Sequence, residues 1–335
     1  MAADYPISGA QVTTAFGWES TFKTEATTID KGFGQGQKIS TYDIDNDVEH
    51  VYSLGSQDLS AQFAKKFIGG WGVEFIYSDP WFWRAILGGT PETAGGGPYT
   101  HTFSVKSPAS ATVGITNALP AMTINISAVT NTVSNQFLLG CVANSFNLTA
   151  AVGEPIKCKL DGFFSDFKKD TATGDTGTLV DEPLTFAQAQ FDLPSGTILA
   201  NVQSVDITFN RNSEGVFGLG SRMASTQLAK QREWSIRASI AYQNDIDFFN
   251  HTIQGAAAGT TVPITIPTEM ATCVLTITNA GATTALRSLV ITFANVMVVK
   301  QSLPIDVGEM VKMDVELRAR TITSLVATDN TATFK

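Results

Sequence analysis

The chain has 335 residues, of which 43 % are hydrophobic and 16 % charged, and 31 acids against 22 bases leave a formal net charge of −9. That length accommodates two compact units, and the acidic balance excludes a protein that wraps nucleic acid, which needs a basic stripe. No apolar run reaches the roughly 18 residues of a membrane helix, and the opening MAADYPISGAQ lacks the basic-then-apolar order of a secretory signal.

In chain order, KGFGQG (31–36) spaces its glycines closely, but no buried strand precedes it and no Walker ending follows. It predicts a flexible loop rather than a phosphate cradle. KISTYDIDNDVEHVYSL (38–54) alternates with period two, as half-buried strands do, around the turn signal Asp45-Asn46-Asp47. Asp43, Asp45 and Asp47 resemble the start of a calcium loop. Val48 stands where that loop needs glycine, however, and Leu54 where it needs a bidentate glutamate, so the stretch reads as an acidic hairpin tip.

GVEFIYS (72–78) is a strand, and Asp79-Pro80 then predicts a helix start, because Asp accepts free amides and Pro is pre-set for the first turn. Gly88 closes that helix. AMTINISAV (121–129), NSFNLTAAV (144–152) and PIKCKLDGFF (155–164) are further strands, and the turn-rich KKDTATGDTGTLVDEP (168–183) is a join. Beyond it come VQSVDITFN (202–210), the turn Arg211-Asn212-Ser213, WSIRASIAY (234–242) and a second helix over 245–255. CVLTITNA (273–280), RSLVITFANVMVV (287–299) and VKMDVELRARTI (311–322) complete the strands. The reading is mainly β: two tandem β-sandwich or partial-barrel domains, 1–182 and 183–335, each with one short flanking α-helix.

The two halves repeat one another. VYSLGSQ from Val51 returns as VFGLGSR from Val216, an offset of 165 (216 − 51), bringing Leu54-Gly55 onto Leu219-Gly220. Gln62–Lys65 and Gln227–Lys230 follow in step, then Trp71 and Trp234, offset by 163 (234 − 71). Ala143-Asn144 matches Ala294-Asn295, and Val152-Gly153-Glu154 matches Val307-Gly308-Glu309. Four blocks in one order, with small drifts in offset, are the mark of an internal duplication.

Reactive chemistry is sparse. His50, His101 and His251 lie far from one another and from any cysteine at metal-ligand spacing, and no G-x-S-x-G elbow occurs. The three cysteines, Cys141, Cys158 and Cys273, predict reduced, buried thiols. Trp71, Phe75, Trp81, Phe82 and Trp83 could stack on sugars or bases, but helical spacing and the matching Phe248-Phe249 favour core packing. No catalytic, cofactor or metal residue is expected, and the chain is read as a non-enzyme.

GWESTFKT (17–24), KGFGQG, the path to LGS, and GGWGVEFIYSDPWFWRAILGG (69–89) together resemble the major tail tube proteins of long non-contractile, siphovirus-like phages and related archaeal viruses. The resemblance implies a β-sandwich with a flanking helix, six such domains per ring and rings stacked into a hollow tube. Two domains per chain then imply a homotrimeric, pseudo-hexameric ring. It also implies a virion-tail protein made in the host cytoplasm, no cofactor and no membrane. The partners are other copies of itself, tape-measure, tail terminator and tail-tip proteins, and viral double-stranded DNA passing without sequence-specific binding. The loop 30–53 with Asp43, Asp45, Asn46, Asp47 and Glu49, the N-terminal arm and the counterpart 206–216 would lap onto the next ring. Glu74, Glu154, Glu309 and Asp314 are the candidate lumen-facing acids. An alternative reading is a tandem β-sandwich binding module or adhesin, with Trp81 or Trp83 as a platform for surface glycans; an enzyme with two barrel-like halves is a further one.

Overall fold

The computed structural model describes residues 12–54, 58–106, 119–128, 135–170, 177, 183–193, 202–241, 269–278, 287–305 and 310–329. The first half contains β1 (Val12–Trp18), β2 (Gln35–Asp45), β3 (Val48–Tyr52), β4 (Leu59–Ala64), β5 (Ile68–Ile76), α1 (Trp83–Leu87), β6 (Glu92–Ala94), β7 (Tyr99–Phe103), β8 (Met122–Ala128), β9 (Asn135–Ala151), β10 (Lys157–Phe164) and β11 (Asp166–Asp170). The second contains β12 (Ala189–Asp192), β13 (Val202–Asn210), β14 (Glu214–Phe217), β15 (Ala224–Leu228), β16 (Glu233–Ala241), β17 (Met270–Thr278), β18 (Ser288–Ser302) and β19 (Lys312–Asp329). The fold is mainly β, as the period-two alternation predicts. The expected second helix at 245–255 lies outside the described residues.

Fifteen strands form one open antiparallel sheet whose main path runs β2-β5-β10-β9 and continues β13-β16-β19-β18-β17-β12. The order β2-β5-β10-β9 thus recurs, element for element, as β13-β16-β19-β18. β9 serves two layers. Its C-terminal part pairs with β10 and β13, while its N-terminal part pairs with β8 and β11, and β8 carries β1. Between the layers, Phe16 of β1 packs 4.5 Å from Phe33, which lies 6.2 Å from Trp71 of β5. In the second half Trp234 of β16 packs 4.4 Å from Phe209 and 6.0 Å from Phe293, so the long β18 bends over its own sheet. Bulges between Thr292 and Phe293 and between Val298 and Lys300 supply that bend.

The aromatic residues are core, as their spacing suggests. Trp71, Phe75, Trp81, Phe82 and Trp83 are all buried, and truncating any one to alanine is expected to cost about 3–5 kcal/mol. Gly162 is required by close approach: a Cβ there would lie 2.0 Å from the Val142 carbonyl oxygen and 2.9 Å from the Trp71 ring. Cys141, Cys158 and Cys273 are free and buried, and burial pushes each thiol up from its usual range.

Two local expectations change. α1 has five residues and ends, as expected, at Gly88, whose φ is 90° and whose N–H donates to the Arg84 carbonyl. Asp79 does not cap it. A turn through Pro80 moves the helix start to Phe82, and the Asp79 carboxylate instead accepts the Ser78 hydroxyl at 2.7 Å. Nor is 31–36 a flexible loop: Lys31 exchanges both backbone bonds with Phe16, and Phe33 is fully buried. Phe33 has more to gain from the apolar core than the glycines lose in backbone freedom.

Glu19, just past β1, pins the following loop to β9. Its carboxylate accepts the Gly140 N–H at 2.8 Å, the Lys23 N–H at 2.8 Å and the Thr123 hydroxyl at 3.0 Å. Desolvation outweighs these bonds and raises its pKa to about 7. An acid raised in the folded state stabilises most below its unfolded value near 4.5 and loses that contribution as pH rises through about 7. Stability against denaturant should therefore fall between pH 5 and 8, and Glu19→Gln should flatten that slope; an unchanged slope would assign it elsewhere.

Candidate functional site: the assembly surfaces

Within the chain, the two repeats meet at a strand seam. β13 pairs antiparallel with β9 from Ser204 opposite Ala151 to Asn210 opposite Ser145. The corner after β13 docks on the first half. The Arg211 N–H donates to the Asn144 carbonyl at 2.9 Å, and the Ser213 N–H and hydroxyl donate to the Asn144 side-chain oxygen at 2.8 and 2.7 Å. The Arg211 guanidinium is buried and donates to the carbonyls of Ala85, at 3.1 Å, and Ile86, in the last turn of α1. Desolvation, with some repulsion from Arg232, lowers its pKa to about 9.

Each repeat also projects a two-stranded hairpin, and the two hairpins have matching geometry. β3 pairs with β4, Glu49 opposite Phe63 and Val51 opposite Ala61; β14 pairs with β15, Glu214 opposite Leu228 and Val216 opposite Thr226. Every one of these positions differs by 165 (214 − 49, 228 − 63). The ion pair Glu49–Lys65 recurs as Glu214–Lys230, and the Ser60 hydroxyl bond to Val51 recurs from Ser225 to Val216. The hairpins touch: the Arg222 guanidinium donates to the Asn46 side chain at 2.9 Å, and the Lys66 ammonium lies 5.0 Å from the Phe217 ring. At their tips Leu54 and Leu219 have relative exposures of 107 % and 108 %. Tyr52, near the first tip, and Phe63, opposite Glu49 toward the base of that hairpin, are also exposed.

One face of the main sheet is apolar and buried; the other is polar. Across the polar face, Lys38 lies 3.6 Å from Glu74, which lies 3.7 Å from Lys159, and Lys159 lies 3.8 Å from Asp161. The Thr149 hydroxyl bonds Asp206 across the seam at 2.5 Å, and Arg237 lies 3.9 Å from Glu316, opposite Lys300. The signs alternate, so this face is neither an acidic nor a basic track.

The sheet is open, and two of its described strand edges correspond to the two sides of the internal seam. One is the outer edge of β2, which pairs only with β5. The other is the end of β18 past Val296, where β17 stops. Tyr42 and Ile44 on the first and Val299 on the second are exposed. Such edges are templates for another chain.

No group of metal-binding side chains occurs among the described residues. His101 is buried, 3.0 Å from Asp329 and 2.9 Å from the Thr93 hydroxyl, and ties β7 to β19 rather than facing any cleft. His50 is exposed on β3, and His251 lies outside the described residues.

A family model for phage tail tube proteins matches residues 9–319. The chain belongs to that family. No curated protein matches it. As a phage tail tube protein it is a structural protein of the virion tail that assembles with itself into a tube and works alongside other tail proteins. None of its described helices is long and apolar enough to cross a membrane.

On this tail tube protein the residues singled out in the sequence fall in distinct places. Asp43 and Asp45 end β2, and Asp45-Asn46-Asp47 forms a corner at the base of the first hairpin, not its tip, which runs through Leu54 instead. Glu49 lies on β3, bonded to Lys65. The counterpart stretch 206–216 is mostly strand and docked corner; the projecting hairpin there is β14–β15. Glu74 and Asp314 lie on the polar sheet face, opposite Lys159 and Ser239, whereas Glu154 and Gly153 sit in the β9–β10 turn, where Glu154 pairs with Lys157. Trp71 and Trp234 are buried at matching sites, and Gly220 turns the second tip with φ 86°. Gly55, Gly308 and Glu309 lie outside the described residues. Sequence reasoning found the Arg211-Asn212-Ser213 turn but missed the role of Arg211; its signal was a cation placed directly after the apolar alternation of a strand.

Proposed function

We propose that the chain is a duplicated tube unit, 1–182 and 183–335, and that three copies close a pseudo-hexameric ring in a long non-contractile tail. The observation that carries this reading is a pair of strand edges that match the two sides of the internal seam. β2 is the counterpart of β13, and the end of β18 the counterpart of the part of β9 that receives β13. A sheet carrying those two edges can repeat its own internal seam with a second copy, and head-to-tail repetition closes into a ring. The polar face lines the bore, where double-stranded DNA meets alternating charges without a continuous basic track to hold its phosphates. The hairpin tips, with Leu54 and Leu219, reach the neighbouring ring, and the exposed Val152 and Ile305 at the opposite end of the sheet receive them. The protein acts as a conduit rather than an enzyme, with tape-measure, terminator and tail-tip proteins bounding the tube. Burial of Trp81 and Trp83 leaves the glycan-platform alternative without its residues.

Native mass measurement with negative-stain imaging of the full chain tests this. Trimers, rings or hollow tubes are expected. A monomer at every concentration and salt would overturn it.

A further inference from the structure

On the polar face of the sheet the two repeats carry opposite charges at matching places. Trp71 of β5 and Trp234 of β16 fix the correspondence, and the strand register carries it sideways. In the first half Lys38 stands opposite Glu74, and Glu74 opposite Lys159. In the second Asp206 stands opposite Arg237, and Arg237 opposite Glu316. Every sign in the row is reversed. The same register matches Lys157, opposite Ile76, with Asp314, opposite Ser239, and Asp161, opposite Gly72, with Arg318, opposite Ser235. The turn match of Gly153 with Gly308 has an offset of 155 (308 − 153), whereas these strands match at 157 (314 − 157). Register rather than turn sequence therefore identifies which side chains share a place.

Folding does not require this inversion. Either order of signs satisfies a cross-strand pair, and the six side chains in the two rows are at least partly exposed, where such pairs add little. In the hairpins the repeats keep their signs, since Glu49–Lys65 returns as Glu214–Lys230. We propose that the triads Lys38–Glu74–Lys159 and Asp206–Arg237–Glu316 form a balanced pair that sets how the bore meets a passing polyanion. This rests on the ring reading, in which the two kinds of unit alternate around the bore. One triad sums to +1 (+1 − 1 + 1) and the other to −1 (−1 + 1 − 1). Alternated, their fields cancel away from the wall, so a DNA duplex near the axis is neither held nor expelled. Identical triads all round would instead present one net sign to a duplex that carries a phosphate charge every ~1.7 Å. Identical single units cannot alternate; two units in one chain can.

The test compares how much fluorescent double-stranded DNA sediments with assembled tubes at low salt. Asp206→Lys/Arg237→Glu/Glu316→Lys gives the second half the signs of the first and keeps the pairs within the triad attractive. Its tubes should carry down about tenfold more duplex than native tubes, protected from nuclease and released by added salt. Adding Lys38→Glu/Glu74→Lys/Lys159→Glu exchanges the two triads, restores the balance and should return retention to the native level. Asp206→Asn/Glu316→Gln reaches the same triad charge without new lysines and should also retain DNA, which covers a failure of the first variant to assemble. Tubes of both unit-two variants that retain no more duplex than native ones, or retain it open to nuclease, would overturn the balance and leave the tube reading intact. Retention that persists in the exchanged variant would do the same. A native chain that never assembles would overturn both.

Discussion

Arg211→Ala should lower the stability of the chain by about 3 kcal/mol, read as a shift in the denaturant midpoint. The guanidinium satisfies two carbonyls in the last turn of α1, where no intrahelical donor remains, and it is buried with the Phe209 ring 5.4 Å away. Alanine removes both charge-assisted bonds, orphans the carbonyls and leaves a cavity the length of the side chain. Arg211→Lys should recover less than half of the loss, because a single ammonium cannot serve two carbonyls in fork geometry. Arg211→Met fills the space without the desolvation of a charge and should fall in between. A methionine variant as stable as the native chain would mean that the cation contributes packing alone. Rings should also form less readily in the alanine variant, since the corner sets how the second half sits on the first.

Leu54→Asp/Leu219→Asp should abolish long tubes while leaving folding unchanged within about 0.5 kcal/mol. Both side chains are fully exposed and neither supports the core, so their loss is invisible to the monomer. A contact between rings would bury them, and burying an aspartate against apolar Val152 or Ile305 carries a large desolvation cost. Repetition multiplies the effect, because every tip of every ring is changed. Imaging should find isolated rings, with the unfolding midpoint at its native value. Tubes of native length from the double variant would remove the tips from the stacking surface.

The seam, the hairpins and the edges bear differently on what a sequence can reveal. The hairpins were legible because they leave a local trace: a turn, an alternating pair of strands and an apolar residue repeated where solvent gives no reason for one. The acidic corner was legible as a turn but was assigned to a tip. Asp47 and Asn212 have the same backbone conformation, yet the hairpin projects beyond them, and the length of a projection depends on pairing across Tyr52 and Leu59. Asp79 illustrates the same limit on a smaller scale. Its residue type suits a helix cap, and the turn at Pro80 took the cap position away.

By itself the sequence determined the β class, the buried aromatic and cysteine core, the recurrence of one unit and the absence of motifs for catalysis. These follow from side-chain period, residue size and order along the chain, which are local properties. Tertiary structure alone decided that β9 joins β13, that Arg211 closes a helix in the other half, that the polar face alternates in charge, and which edges match the two sides of that seam. Each depends on which strands become neighbours, and backbone hydrogen bonding is indifferent to residue type. A free edge and a paired edge read alike until the register of the whole sheet is known.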